Sequence, residues 1–196
     1  MMAKIVKGTT FGGVVKYILD PAKQTNLLDS DGVRLKSLDS IVQSFETQRE
    51  LNPRVSKPVG HISLDFSAQD RAKLTNEVMT QIAHDYMNRM GIVNTQYIIG
   101  RHHDKEYPHL HIAFNRVDNN GHTISDQNDR FRSEKICKEL TAKYGLYFAN
   151  DFYLHHHCYQ QALQANFPHP LKDREISRYG NHQEEILRRE AHFWYI

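Results

Sequence analysis

Residues 102–115 read His-His-Asp-Lys-Glu-Tyr-Pro-His-Leu-His-Ile-Ala-Phe-Asn, and their spacing carries a metal-binding pattern. His109 and His111 are two positions apart. On a strand that begins after Pro108, alternation points both imidazoles to one face, followed by Ala113 and Asn115. Leu110, Ile112 and Phe114 then point to the other face and can be buried. His102, just before the intervening turn, is placed to supply a third nitrogen ligand. Three neutral imidazoles leave coordination positions open, as a catalytic cation requires, whereas structural zinc sites close with four ligands, often cysteines. A lone histidine is by default an ordinary hydrogen-bonding residue. Three with matched placement, and every aliphatic facing away, make a metal site the better reading. Asp104 and Glu106 are candidate supporting carboxylates, able to orient an imidazole through its second nitrogen or to bind the cation directly. Asn115, on the histidine face, is a candidate supporting side chain of the same kind, and His103 points away and takes no role.

Tyr17 is one of ten tyrosines, and a tyrosine on an amphipathic turn is by default a packing residue. Its surroundings raise it above the others. It follows the Gly12-Gly13 pair, which permits close approach of another backbone, and it sits on a short helix near the N-terminus. A phenol beside a divalent cation can ionise and attack phosphorus. A basic patch at Arg130, Arg132, Lys135, Lys138 and Lys143, with Phe131 between the arginines, could hold phosphates and stack a base. The competing reading is a solvated helix face, since Glu134 and Glu139 intervene and Lys135 pairs with Glu139 at helical spacing.

These groups need a frame. Residues 3–8 read as a short strand, and 14–19 as a helical turn ended by Asp20-Pro21. Residues 39–50 read as a helix with Asp39 as N-cap and Ile41, Val42 and Phe45 as its apolar stripe. In the strand 60–66, His61, Ser63 and Asp65 alternate with Ile62, Leu64 and Phe66. Ser67 and Asp70 form a variant capping box that opens a helix carrying Leu74, Val78, Ile82 and Tyr86, with Gly91 as its stop. Strands 95–101 and 109–117 follow, joined by the polar turn. Ser133 caps a further helix with Ile136, Leu140 and Tyr144 inward and Gly145 closing it. If strands 60–66 and 109–115 share a sheet, His61, Ser63 and Asp65 share the open face with His109 and His111, and helices cover the opposite face. The expected class is therefore α+β, an antiparallel sheet with helices mainly on one side.

The length of 196 residues suits one domain with a short tail: residues 1–150 carry the patterned elements, and 151–196 form a tail or helical extension of unassigned role. A formal charge of +2 gives no global electrostatic case for nucleic acid, so any such case rests on local chemistry. Cys137 and Cys158 make neither a metal spacing nor a disulfide framework, which favours a reducing compartment. No apolar run is long enough to cross a bilayer and the N-terminus lacks a signal-peptide core, so the expected location is the cytoplasm.

Four motifs, in order along residues 2–150, resemble those of the MobP-class relaxases. These are the mobilisation nucleases of conjugative and mobilisable elements, and they include the T-DNA border nucleases. The metal motif is similar to His102-x-Asp104-x-x-x-Pro108-His109-x-His111-x-x-x-Asn115, and the tyrosine motif to Val15-Lys16-Tyr17-Ile18-Leu19. A strand motif resembles Gly60-His61-Ile62-Ser63-Leu64-Asp65-Phe66-Ser67, and a later one Arg130 to Lys135 leading into Tyr144-Gly145-Leu146. The resemblance implies a palm-like sheet of about five strands, as in the histidine-hydrophobe-histidine (HUH) endonuclease superfamily. It implies that Tyr17 is the nucleophile and that His102, His109 and His111 hold a divalent metal, Mg²⁺ or Mn²⁺. The implied activity is site-specific nicking and rejoining of single-stranded DNA at a transfer origin through a 5′-phosphotyrosyl link. Arg130, Arg132 and Lys135 are the candidate DNA contacts. Implied partners are that DNA strand, accessory mobilisation proteins and a coupling protein, with transport into a recipient cell. Two departures stand out. The family often has histidine where this chain has Tyr107, and some relatives replace a metal histidine, which would enlarge the part of Asp104 and Glu106.

Two other readings share these residues. A rolling-circle replication initiator uses the same chemistry, but there the tyrosine typically follows the histidine motif. A DNA-binding module that has lost cleavage would keep the fold and the patch without the reaction.

Overall fold

The computed structural model describes residues 1–148. The tail expected over 151–196, with Cys158, lies outside them. Five strands form one sheet: β1 (Met2–Gly8), β2 (Asn26–Asp31), β3 (Val59–Asp65), β4 (Tyr97–His102) and β5 (His109–Asn115). Their order is β1-β3-β5-β4-β2, and every neighbouring pair is antiparallel. β5 is the middle strand and all seven of its residues are buried. Four helices complete the fold: α1 (Phe11–Ile18), α2 (Leu38–Arg49), α3 (Asn76–Met90) and α4 (Asp129–Lys143).

The alternation in β3 and β5 decides which helix goes where. Ile62, Leu64, Leu110 and Ile112 point to one face and pack with Met79, Ile82 and Tyr86 of α3 and Ile136 and Leu140 of α4. Val59, Ile98 and Ala113 point to the histidine face, where Phe11, Val15 and Ile18 of α1 and Ile41 and Phe45 of α2 cover them. The α+β class and the antiparallel sheet are as expected, but the helices are not confined to the face opposite the histidines. α1 and α2 roof one end of that face and leave its other end open. An eight-residue helix is too short to stand alone in water, so α1 depends on burying these three side chains, each contributing roughly 1.5–3 kcal/mol.

Close seating of α1 comes from the sheet, not from its own glycines. A Cβ on Gly12 or Gly13 would meet nothing within 4 Å, contrary to the close approach expected of that pair. A Cβ on Gly100 of β4 would lie 2.6 Å from Ile18 Cγ2 and 3.2 Å from the Ile18 carbonyl oxygen. Gly100→Ala is therefore expected to lower stability by about 1–3 kcal/mol through overpacking. It should also lift the C-terminal end of α1, which carries Tyr17. Urea unfolding checks this; an unchanged midpoint would mean that the helix yields without cost.

Several element boundaries differ from the sequence reading for local reasons. Ser67 closes only a 3-10 turn, Ala68–Asp70, and α3 starts later behind Thr75, whose hydroxyl accepts from Val78 N. Asp70 is unavailable to cap a helix because its buried carboxylate accepts from Tyr147 N at 3.0 Å, tying down the chain after α4. α2 is capped by Ser37 in a reciprocal box with Ser40, two positions ahead of Asp39. α4 begins behind Asn128, and Ser133 lies buried inside it, sharing a 2.7 Å hydrogen bond with the Tyr86 hydroxyl. β2 was not expected from the sequence.

Candidate metal centre and phenol

Strand register assembles the site. His102 is directly across from His109 on the β4–β5 ladder, and on the β3–β5 ladder Ser63 is across from His111 and Asp65 from His109. Residues paired in this way face the same side of a sheet. The three imidazoles are 1–4% exposed, and each offers a donor atom within 4.8 Å of the other two.

One nitrogen of each ring is held by a neighbour on the protein. His102 Nε2 donates to the Ile18 carbonyl at 2.9 Å, and His109 Nδ1 donates to the Tyr107 carbonyl at 3.2 Å. His111 Nδ1 lies 3.1 Å from His61 Nε2, and one of the two rings donates to the other. The remaining ring nitrogens are His102 Nδ1, His109 Nε2 and His111 Nε2. The first and third are buried with no hydrogen-bond partner among the described residues. The second lies 3.1 Å from Asp104 Oδ1. Orphaned lone pairs beside a carboxylate fit a divalent cation, which satisfies all four groups at once.

Protonation is arranged to suit. Burial, followed by the positive charge that neighbouring imidazoles would carry, pushes His111 down to about 2 and His61 down to about 4. Burial also lowers His102. These rings are neutral at neutral pH, so protons do not compete for the lone pairs of His102 and His111.

Tyr17, near the end of α1, stands over this cluster with 39% of its surface exposed. Its ring centroid is 5.1 Å from that of His111, 5.5 Å from His102 and 5.7 Å from His61. It is not pinned in apolar packing. Lys23 Nζ lies 4.6 Å from the Tyr17 ring centroid and 3.0 Å from Asp104 Oδ2. On the turn between β4 and β5, Lys105 Nζ donates to the Tyr107 hydroxyl at 2.8 Å. Asp65 Oδ1 is buried without a partner among the described residues.

Of the residues singled out from sequence, the structure brings Tyr17, His102, His109, His111 and Asp104 together. It does not bring in the rest. Glu106 is exposed, and only its carbonyl makes a hydrogen bond, accepting from Arg71. Asn115 is fully buried; its Nδ2 donates to Phe45 O and its Oδ1 accepts from Val117 N, which pins α2 to β5. Arg130, Arg132 and Lys135 are on α4, which packs on the face away from the imidazoles. Arg132 is spent on the carbonyls of Met90 and Gln127. The basic groups nearest the imidazoles and Tyr17 are instead Lys23 and Lys105, with Lys4 of β1 on the same sheet face in register with Ser63 and His111. Sequence reading passed over Lys23 and Lys105, and it gave His61 a face but no task. Only the strand register shows that His61 orients His111. Lys23 follows a proline in a connector with no periodic signal.

An antiparallel sheet that brings three imidazoles and an exposed phenol together offers a site for a cation with a nucleophile beside it. The family model for relaxases, MobA/VirD2-like nuclease domain, matches residues 17–146, and the chain belongs to that family. Protein TraI of Escherichia coli is 24% identical to it over 148 residues, which are 72% of this chain and 20% of TraI, so the chain spans a fifth of that relative's length. Among the described residues no helix is long and apolar enough to cross a membrane.

Proposed function

We propose that residues 1–150 form a nuclease domain that nicks and rejoins one DNA strand at the transfer origin of a plasmid or other mobile element. Tyr17 is the nucleophile, and His102, His109 and His111 hold a divalent cation, Mg²⁺ or Mn²⁺. The observation that carries this reading is the exposed Tyr17 ring 5.1 Å from the His111 ring, whose ligand nitrogen has no other partner. A cation bound there supplies Lewis-acid stabilisation of the charge that builds on the scissile phosphoryl group.

The chain's own residues do the rest. Ile18 and Gly100 fix the height of α1 and so hold the phenol in reach. Tyr17 Oη forms a bond to phosphorus while the bond from phosphorus to the upstream 3′ oxygen breaks. The phenol loses a proton and the 3′ oxygen gains one, so the step is proton-neutral overall. One phosphodiester replaces another, which makes the step reversible without ATP. The same joining, run backwards on an incoming 3′ hydroxyl, recircularises the strand. A single unpaired strand is the substrate, since the phosphate must descend between Tyr17 and the imidazoles. Accessory mobilisation proteins and a coupling protein complete the assembly, which acts in the cytoplasm and travels to the recipient with its DNA.

The test uses single strands from the element's own transfer origin, labelled at one end or the other, with Mg²⁺ or Mn²⁺. The label on the 3′ side of the nick is expected to remain with the protein through denaturation, and the 5′-side fragment to leave with a free 3′ hydroxyl. Retention of the opposite label would reverse the assigned polarity, and no adduct at either end would remove the nuclease reading.

A further inference from the structure

We propose that Lys23 is a catalytic residue: its ammonium binds the scissile phosphate and stabilises the charge passing between Tyr17 and that phosphate. This rests on the transesterification reading above. Lys23 sits where the reaction needs a movable cation. Its Nζ is 4.6 Å from the Tyr17 ring centroid and 3.0 Å from Asp104 Oδ2, and the other oxygen of Asp104 is 3.1 Å from His109 Nε2. The ammonium therefore bridges the two groups between which the phosphate must fit. An ammonium has three donors, and Asp104 uses one, so a non-bridging phosphate oxygen can be added without breaking the pair.

Lys23 is not needed as a strap. The connector that bears it is already fastened to the 102–104 segment by backbone: His103 N donates to Lys23 O at 2.9 Å, and His102 Nε2 donates to Ile18 O at 2.9 Å. Neither bond depends on the lysine side chain. The side chain itself is 20% exposed, open enough to meet a substrate and close enough to keep its aim. Lys105, another ammonium at the site, is engaged elsewhere: it donates to the Tyr107 hydroxyl at 2.8 Å and lies over that ring, 5.0 Å from its centroid.

Two measurements on the full chain test this. With metal-free protein and a transfer-origin single strand, the slope of log affinity against log salt should become shallower by about 0.7 in Lys23→Gln, the loss of one phosphate contact, and should be retained in Lys23→Arg. With Mn²⁺ and saturating strand, the rate of adduct formation should fall about 10²-fold in Lys23→Gln and recover to within about tenfold in Lys23→Arg. Mn²⁺ affinity, read by electron paramagnetic resonance, should be unchanged in both. An unchanged salt slope, a wild-type rate in Lys23→Gln, or a rate loss matched by lost Mn²⁺ affinity would each overturn the assignment. The last would make Lys23 a support for Asp104. Absence of adduct in the wild-type chain would instead sink the transesterification reading, while the salt slope still reports on Lys23 alone.

Discussion

Tyr17→Phe is expected to remove the covalent DNA adduct altogether, lowering strand cleavage by about 10⁴-fold or more, since losing a nucleophile removes the reaction path and not merely one favourable contact. The substitution deletes one oxygen and nothing else. The ring keeps its edge contacts with His61 and His111 and its tilted contact with His102, and Lys23 keeps an aromatic face at 4.6 Å. The hydroxyl of an exposed tyrosine has little structural part, so the unfolding midpoint and the affinity for single strands should stay close to wild type. Denaturing gels of labelled strand with Mn²⁺ measure the adduct, and anisotropy measures binding. Tyr107 is the control. It too is a phenol near the site, its ring 5.6 Å from His109, but its hydroxyl already accepts from Lys105. Tyr107→Phe should leave the adduct intact. If instead Tyr17→Phe still forms adduct and Tyr107→Phe does not, the nucleophile has been assigned to the wrong side of the triad.

Much of this arrangement was legible because two of its three imidazoles share one strand. Alternation along 109–115 separates His109 and His111 from Leu110, Ile112 and Phe114 with no tertiary information, and strand 60–66 shows the same split. β2 was illegible for the converse reason. Asn26-Leu27-Leu28-Asp29-Ser30-Asp31 does not alternate, lies at the sheet edge, and is bulged between Leu27 and Asp29, so pairing with β4 and not side-chain pattern makes it a strand. Helix starts failed where a capping residue was drawn off by a distant partner, as Asp70 is by Tyr147 and Ser133 by Tyr86.

The seat of α1 depends on contacts that no local pattern encodes. The sequence pointed to Gly12-Gly13 as the place of close approach, but the glycine that matters is eighty-odd residues away, on β4 beneath Ile18. Lys23 and His61 share that difficulty: each reaches the imidazole cluster only through a neighbour on another element. Arg130 and Arg132 erred the other way. A basic cluster on a helix says nothing of which face of the sheet the helix will cover, and burial of Ile136 and Leu140 put α4 on the face away from the triad.

His111→Ala should be the most damaging change among the three imidazoles. His111 occupies the middle strand, is 4% exposed, and is the ring closest to Tyr17 and also the partner of His61. Its removal takes away one of the three proposed nitrogen ligands and leaves His61 without its imidazole partner. Losing about 4 kcal/mol of electrostatic stabilisation corresponds to a fall of roughly 10³-fold in cleavage. Mn²⁺ affinity should fall with it, whereas metal-free binding of a single strand should hold. His61→Ala, which disturbs only the orientation of His111, should cost less, roughly 10–100-fold in Mn²⁺ affinity. Equal losses from the two would mean that His61 is itself a ligand. Acid provides an independent reading of the same cluster. Burial holds His111 and His61 at about 2 and about 4, below the usual imidazole value that they regain when the chain unfolds. As pH falls below about 6.5 the unfolded chain takes up protons that the folded chain refuses, so the metal-free protein should lose stability progressively with acid. In His111→Ala one of those proton-refusing groups is gone, and stability should decline less steeply between pH 6.5 and 4.5. Urea unfolding across that range decides it: a slope as steep as wild type would mean that His111 takes up its proton in the folded state as readily as in the unfolded one, which a neutral, ligand-ready ring does not do.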